Sequence, residues 1–114
     1  MSKWIHFTDI EVLGLDPELV SKLDSARHVA GIPFVITSGK RTLNSNTDSG
    51  GVEDSSHLSG LAVDLRASAS GDRYLIVSAL LRAGFKRIGV YNKHVHCDLD
   101  LAKPQNVMWI GESH

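Results

Sequence analysis

Ser56-His57-Leu58-Ser59-Gly60-Leu61-Ala62-Val63-Asp64 and, further on, His94-Val95-His96-Cys97-Asp98 are the segments whose reading decides the fold. Two histidines and a carboxylate on separate short elements can supply three of the four ligands of a tetrahedral zinc ion. The fourth position is then left to water, as in catalytic zinc sites. Cys97 is the single cysteine of the chain, so a structural zinc caged by thiolates is excluded. An open site is the natural reading.

Outward from these segments, side-chain parity assigns faces. Gly60 to Arg66 alternates, with Leu61, Val63 and Leu65 on one side and Ala62, Asp64 and Arg66 on the other. In a strand from His94 to Leu101, the residues His94, His96 and Asp98 share a face, while Val95, Cys97 and Leu99 point to the core. Cys97 is accordingly expected to pack inside as a small apolar residue. A polar row of this kind suits a solvated outer face as well as a site; the pairing with the His57 to Asp64 segment favours the site.

The rest of the chain reads as ordinary punctuation around these strands. Asp16-Pro17 opens a helix, with Asp16 as N-cap and Pro17 at the first helical position. Leu19, Leu23, Ala26 and Ala30 follow at helical spacing until Gly31. Phe34 to Ser38 is a short β-branched strand. Gly39 to Ser55 is a long aperiodic stretch rich in Gly, Ser, Asn, Thr and Asp, a kind of loop that is more often functional than incidental. A second helix starts around Ser68 to Asp72, carries Leu75, Ile76, Ala79, Leu80 and Ala83 on one stripe, and ends at Gly84. Phe85 to Tyr91 and His94 to Leu101 read as strands joined by an Asn92-Lys93 turn, and Val107 to Ile110 as a final edge strand. The order α-β-loop-β-α-β-β predicts an α+β fold, a small, mostly antiparallel sheet with helices on one face.

At 114 residues the chain is expected to form a single domain, spanning 1–114, with one core. The net charge of −1 and the absence of a basic run argue against nucleic acid and anionic membranes as partners. No apolar stretch approaches the ~20 residues a bilayer crossing needs. Met1 to Phe7 lacks the apolar core and cleavage site of a secretory signal, so synthesis in the cytoplasm is expected. His6, His28 and His114 have no partners at ligand spacing and read as surface residues; Trp4 and Trp109 read as packing residues near the chain ends.

Ser38-Gly39-Lys40-Arg41, Ser56-His57-x-x-Gly60-x-Ala62-x-Asp64 and His94-x-His96-x-Asp98 resemble the zinc D-alanyl-D-alanine peptidases of the M15 type, which include phage endolysins and bacterial cell-wall carboxypeptidases. The hedgehog signalling domain shares this metal framework, and its His-x-His-Cys segment looks much like His94 to Cys97. The resemblance runs from about Phe7 to Trp109 and implies a hedgehog/DD-peptidase-like fold. It makes His57, Asp64 and His96 the zinc ligands, a mixture of imidazoles and carboxylate unlike the all-oxygen sites of calcium and magnesium.

Further roles follow from the same resemblance. Arg41 would face the substrate, where a guanidinium fork can hold a peptide carboxylate or polarise the scissile carbonyl. Many relatives carry an acidic general base shortly before the second metal histidine, yet Val90, Tyr91, Asn92 and Lys93 stand there. Asp98 is the expected substitute, with orientation of a ligand histidine as its rival role; Glu53 and Asp54 are further candidates. His94 could stabilise the oxyanion or shuttle a proton. Ser56 reads either as a hydrogen-bond donor beside the first ligand or as a loop serine.

Together these imply a monomeric zinc (Zn2+) metallopeptidase that cleaves peptide stems or crosslinks of bacterial peptidoglycan, as a D,D-carboxypeptidase or endopeptidase. A phage-type lytic enzyme that reaches the wall after holin-type release would fit a start without a signal. The alternatives are a non-catalytic zinc-binding recognition module of the same fold, which the missing upstream acid favours, and an intracellular dipeptidase.

Overall fold

The computed structural model describes residues 4–38 and 60–111. Helix α1 (Pro17–Ala30) begins where the Asp16 carboxylate accepts the Glu18 backbone N–H, and it ends at Gly31 in the left-handed conformation. Helix α2 (Ser70–Arg82) has Ala69 at its N-cap without a side-chain hydrogen bond. The strands are β1 (Ile36–Ser38), β2 (Ala62–Arg66), β3 (Arg87–Val90), β4 (His94–Asp98) and β5 (Val107–Ile110).

These strands form a five-stranded sheet in the order β1-β2-β4-β3-β5. The pairs β1–β2, β2–β4 and β3–β4 are antiparallel; β3–β5 is parallel. The α+β architecture with a mostly antiparallel sheet thus stands as expected, and the one parallel pair makes the sheet mixed. Strands β2, β3 and β4 are shorter than their alternating patterns, because pairing stops where the chain turns away.

Alternation decides what each face carries. Val63, Leu65, Ile88, Val95 and Cys97 point to one face and join Leu19, Val20, Leu23 and Ala26 of α1 and Ile76, Ala79 and Leu80 of α2 in a single buried cluster. Both helices therefore lie on that face. Leu75, expected on the buried stripe of α2, is 39% exposed and points outward. The opposite face carries Ala62, Asp64 and Arg66 of β2, His94, His96 and Asp98 of β4, and Arg87 and Gly89 of β3.

Two local devices hold this polar face in register. Gly60 turns the chain into β2 at φ +77, and a Cβ there would lie 2.4 Å from the Gly14 carbonyl oxygen. The turn and the close approach both need glycine, and the Gly60 carbonyl accepts the Asp16 N–H at 2.9 Å. At the other end, Arg73 of α2 donates to the carbonyls of Tyr91 and Asn92 at 3.1 and 2.8 Å, fixing the turn between β3 and β4.

Candidate metal centre

The β2–β4 register sets Ala62 opposite Asp98, Asp64 opposite His96 and Arg66 opposite His94. Cross-strand neighbours on one face of an antiparallel pair lie within side-chain reach of each other. Accordingly Asp64 Oδ1 lies 3.1 Å from His96 Nδ1 and 3.9 Å from His94 Nε2. The other ring nitrogen, His96 Nε2, lies 2.7 Å from Asp98 Oδ2. The His96 imidazole therefore stands between two carboxylates, with Asp64 beyond Nδ1 and Asp98 beyond Nε2.

Asp98 is 2% exposed. Its Oδ1 accepts the Arg87 Nε–H at 2.8 Å and the Asp100 backbone N–H at 3.1 Å, while Oδ2 faces His96. Burial alone would raise the Asp98 pKa, but the bonds from His96 and Asp100 and the charges of His96 and Arg87 outweigh it and hold the carboxyl below its usual 3.8. Burial likewise opposes the charged form of His96; hydrogen bonds and charge from Asp64 and Asp98 prevail, and its pKa lies above the usual 6.5. Behind the sheet, burial pushes the Cys97 thiol well up, so it is a core residue and no nucleophile.

The donor chemistry fits zinc. An imidazole and a carboxylate converge from two strands, the mixture that a borderline ion prefers. Among the described residues no group of three His, Cys, Asp or Glu side chains lies close enough to hold a metal ion. Asp64 and His96 are thus two donors awaiting a third. His57 and Arg41, together with Ser56, Glu53, Asp54 and the rest of the 39–59 stretch, lie outside the described residues, as does His114.

Beside the donors lies an aromatic layer that the residue patterns did not mark as part of a site. Tyr91 stacks on His94 with ring centroids 4.2 Å apart. The Trp109 indole N–H donates to the Tyr91 hydroxyl at 2.9 Å, and the Trp109 ring lies 5.4 Å from that of His96. Trp109 is therefore a neighbour of His96 as well as a packing residue. Parity held the signal: in Arg87-Ile88-Gly89-Val90-Tyr91, the residues Arg87, Gly89 and Tyr91 alternate with two apolar residues and share the face of His94, His96 and Asp98. His6 and His28, far apart in sequence, also meet, with His6 Nε2 and His28 Nδ1 3.3 Å apart at the surface.

The family model Peptidase M15 matches residues 4–98. Among solved structures, the crystal structure of Serratia marcescens L-Ala D-Glu endopeptidase ChiX has a similar fold, with a TM-score of 0.66 at 22% identity, covering 88% of this chain and 93% of that one. No curated protein matches the sequence.

Proposed function

The chain belongs to the peptidase M15 family, and from that premise we propose that it is a zinc-dependent hydrolase of peptidoglycan stem peptides. The observation that carries the proposal is the approach of Asp64 Oδ1 and His96 Nδ1 to 3.1 Å across β2 and β4. These are the two sheet-borne positions of the family's ligand pattern. His57 is the third ligand in this reading. The choice of substrate is supported by the fold shared with an L-Ala D-Glu endopeptidase.

His57, Asp64 and His96 would hold the zinc ion, which would supply Lewis-acid polarisation of the scissile carbonyl and a water of lowered pKa. Asp64 brings a negative charge to the centre, and His96 brings Nδ1. Asp98 serves as the orienting partner of His96 rather than as the base, because the imidazole ring separates it from Asp64 and both of its oxygens are already engaged. His94 lies on the Asp64 side of that ring, stacked on Tyr91, and is the group we assign to hold and return a proton. Arg41 binds the substrate carboxylate or carbonyl.

The test is digestion of purified muropeptides, including L-Ala-D-Glu and D-Ala-D-Ala bonds, with and without a chelator. Shortened stems that vanish on chelation and return with zinc are expected. A protein that binds zinc but yields no product would replace the proposal with a recognition module of the same fold.

A further inference from the structure

Arg87 is the residue on the polar face whose engagement nothing so far explains. It lies at the end of β3, one residue beyond the Ile88–Cys97 pair of the β3–β4 register. Its Nε donates to Asp98 Oδ1 at 2.8 Å and its Nη1 to the Pro104 carbonyl at 2.6 Å, while the guanidinium carbon sits 5.0 Å from the centre of the Trp109 ring. The side chains of Arg87 and Asp98 are 11% and 1% exposed, so this is an ion pair away from water. A lysine at this position could offer one compact charge but no planar fork joining a carboxylate to a carbonyl.

The two oxygens of Asp98 have separate duties. Oδ1 is held by Arg87 and the Asp100 N–H, which leaves Oδ2 aimed at His96 Nε2. A carboxylate oxygen only accepts, and each ring nitrogen of the charged His96 faces one, Nε2 at 2.7 Å from Asp98 and Nδ1 at 3.1 Å from Asp64. The closer contact holds its hydrogen better, so when the ring gives up one proton Nε2 keeps its own and the lone pair left for a cation is on Nδ1. Without Arg87 the carboxylate would lose a permanent counter-charge and one of the two bonds that hold Oδ1.

We infer that Arg87 is a positioning residue that acts through Asp98 to keep His96 in the Nε2–H form, with Nδ1 presented to a metal ion. The inference rests on the zinc reading above. Trp109 supports the device by covering one face of the guanidinium, and the Pro104 bond ties it to the loop between β4 and β5.

The experiment uses the full chain and two variants, Arg87→Met and Arg87→Lys, with two measurements on each. Imidazole nitrogen NMR of the metal-free protein, above the pH at which His96 loses its charge, reads the tautomer. Competition with a chromophoric chelator reads zinc affinity. In the parent protein we expect Nε2–H at His96; in Arg87→Met a mixture of tautomers, with zinc binding weaker by about 10- to 100-fold, the scale for loss of a group that orients a metal ligand. Arg87→Lys should recover part of both. If Arg87→Met does not fold, Arg87→Lys alone must show the shifted tautomer and weaker zinc. Unchanged tautomer and affinity in a folded variant, even one with a lower melting temperature, would reduce Arg87 to a structural residue and overturn the inference. A parent protein that shows the Nε2–H form yet binds no zinc would instead refute the metal reading, leaving the tautomer result to decide on Arg87.

Discussion

Gly89 faces His96 across β3 and β4, and in the space where a side chain would stand lies the indole of Trp109. A Cβ at position 89 would come within 2.5 Å of Trp109 Nε1 and 2.8 Å of a Tyr91 ring carbon. A glycine inside a strand weakens it, and one reason to keep it is the close approach of another group. Here that group is the aromatic layer beside His94 and His96. Gly89→Ala should therefore displace both rings, lower stability by about 1–3 kcal/mol as overpacking does, and shift tryptophan fluorescence. An alanine variant with unchanged emission and melting temperature would show that the layer is not seated on this glycine.

Zinc should bind once per chain and depend on each proposed ligand. Replacing His57, Asp64 or His96 by Ala is expected to lower zinc content sharply in protein that still folds, since the buried cluster between sheet and helices is untouched. Full occupancy in Asp64→Ala or His96→Ala protein, measured by elemental analysis, would refute the ligand set.

Binding to the folded state alone should also stabilise it. With free zinc at 100 times its dissociation constant the gain is about 2.7 kcal/mol, and a chelator should remove it. The melting temperature in the two conditions measures this directly. No difference would mean that the site binds no zinc or binds it as well in the unfolded chain.

In metal-free protein the His96–Asp98 pair makes stability depend on pH in a definite direction. The pKa of His96 is raised above 6.5 in the fold, so its contribution is full below 6.5 and is lost as pH rises through the folded value. The pKa of Asp98 is lowered below 3.8, so its contribution is present above 3.8 and is lost as pH falls through the folded value. This pair thus stabilises most between those two values. Asp98→Asn should flatten both limbs in thermal melts of chelated protein. With zinc present, the same variant should keep its fold but bind the metal about 10- to 100-fold more weakly. Unaltered zinc binding with catalysis lost would restore Asp98 as the base.

Much of this was legible because period and punctuation are local. The Asp16-Pro17 start, the Gly31 stop and the alternation of His94 to Asp98 each depend on a few neighbouring residues, and the structure follows them. The ends of β2, β3 and β4 were not legible, since they depend on where a partner strand ends. Nor was the task of Arg87 visible from its own neighbours. It required knowing that β3 lies against β4 and that β5 adds on the far side of β3 in parallel, bringing Trp109 to the guanidinium. The pairing of His6 with His28 was hidden for the same reason.

Strand β4 also has a consequence for how the chain avoids misfolding. His94, His96 and Asp98 alternate with Val95 and Cys97, so sliding β4 by one residue against β2 would exchange the two sets. Two imidazoles and a carboxylate would then enter the apolar layer under the helices, while Val95 and Cys97 would stand at the polar face. An error of one step would thus damage the interior and the chemistry together. Competing registers are penalised twice, and a chain that has paired β4 correctly enough to bury Cys97 has already aimed His96 at Asp64.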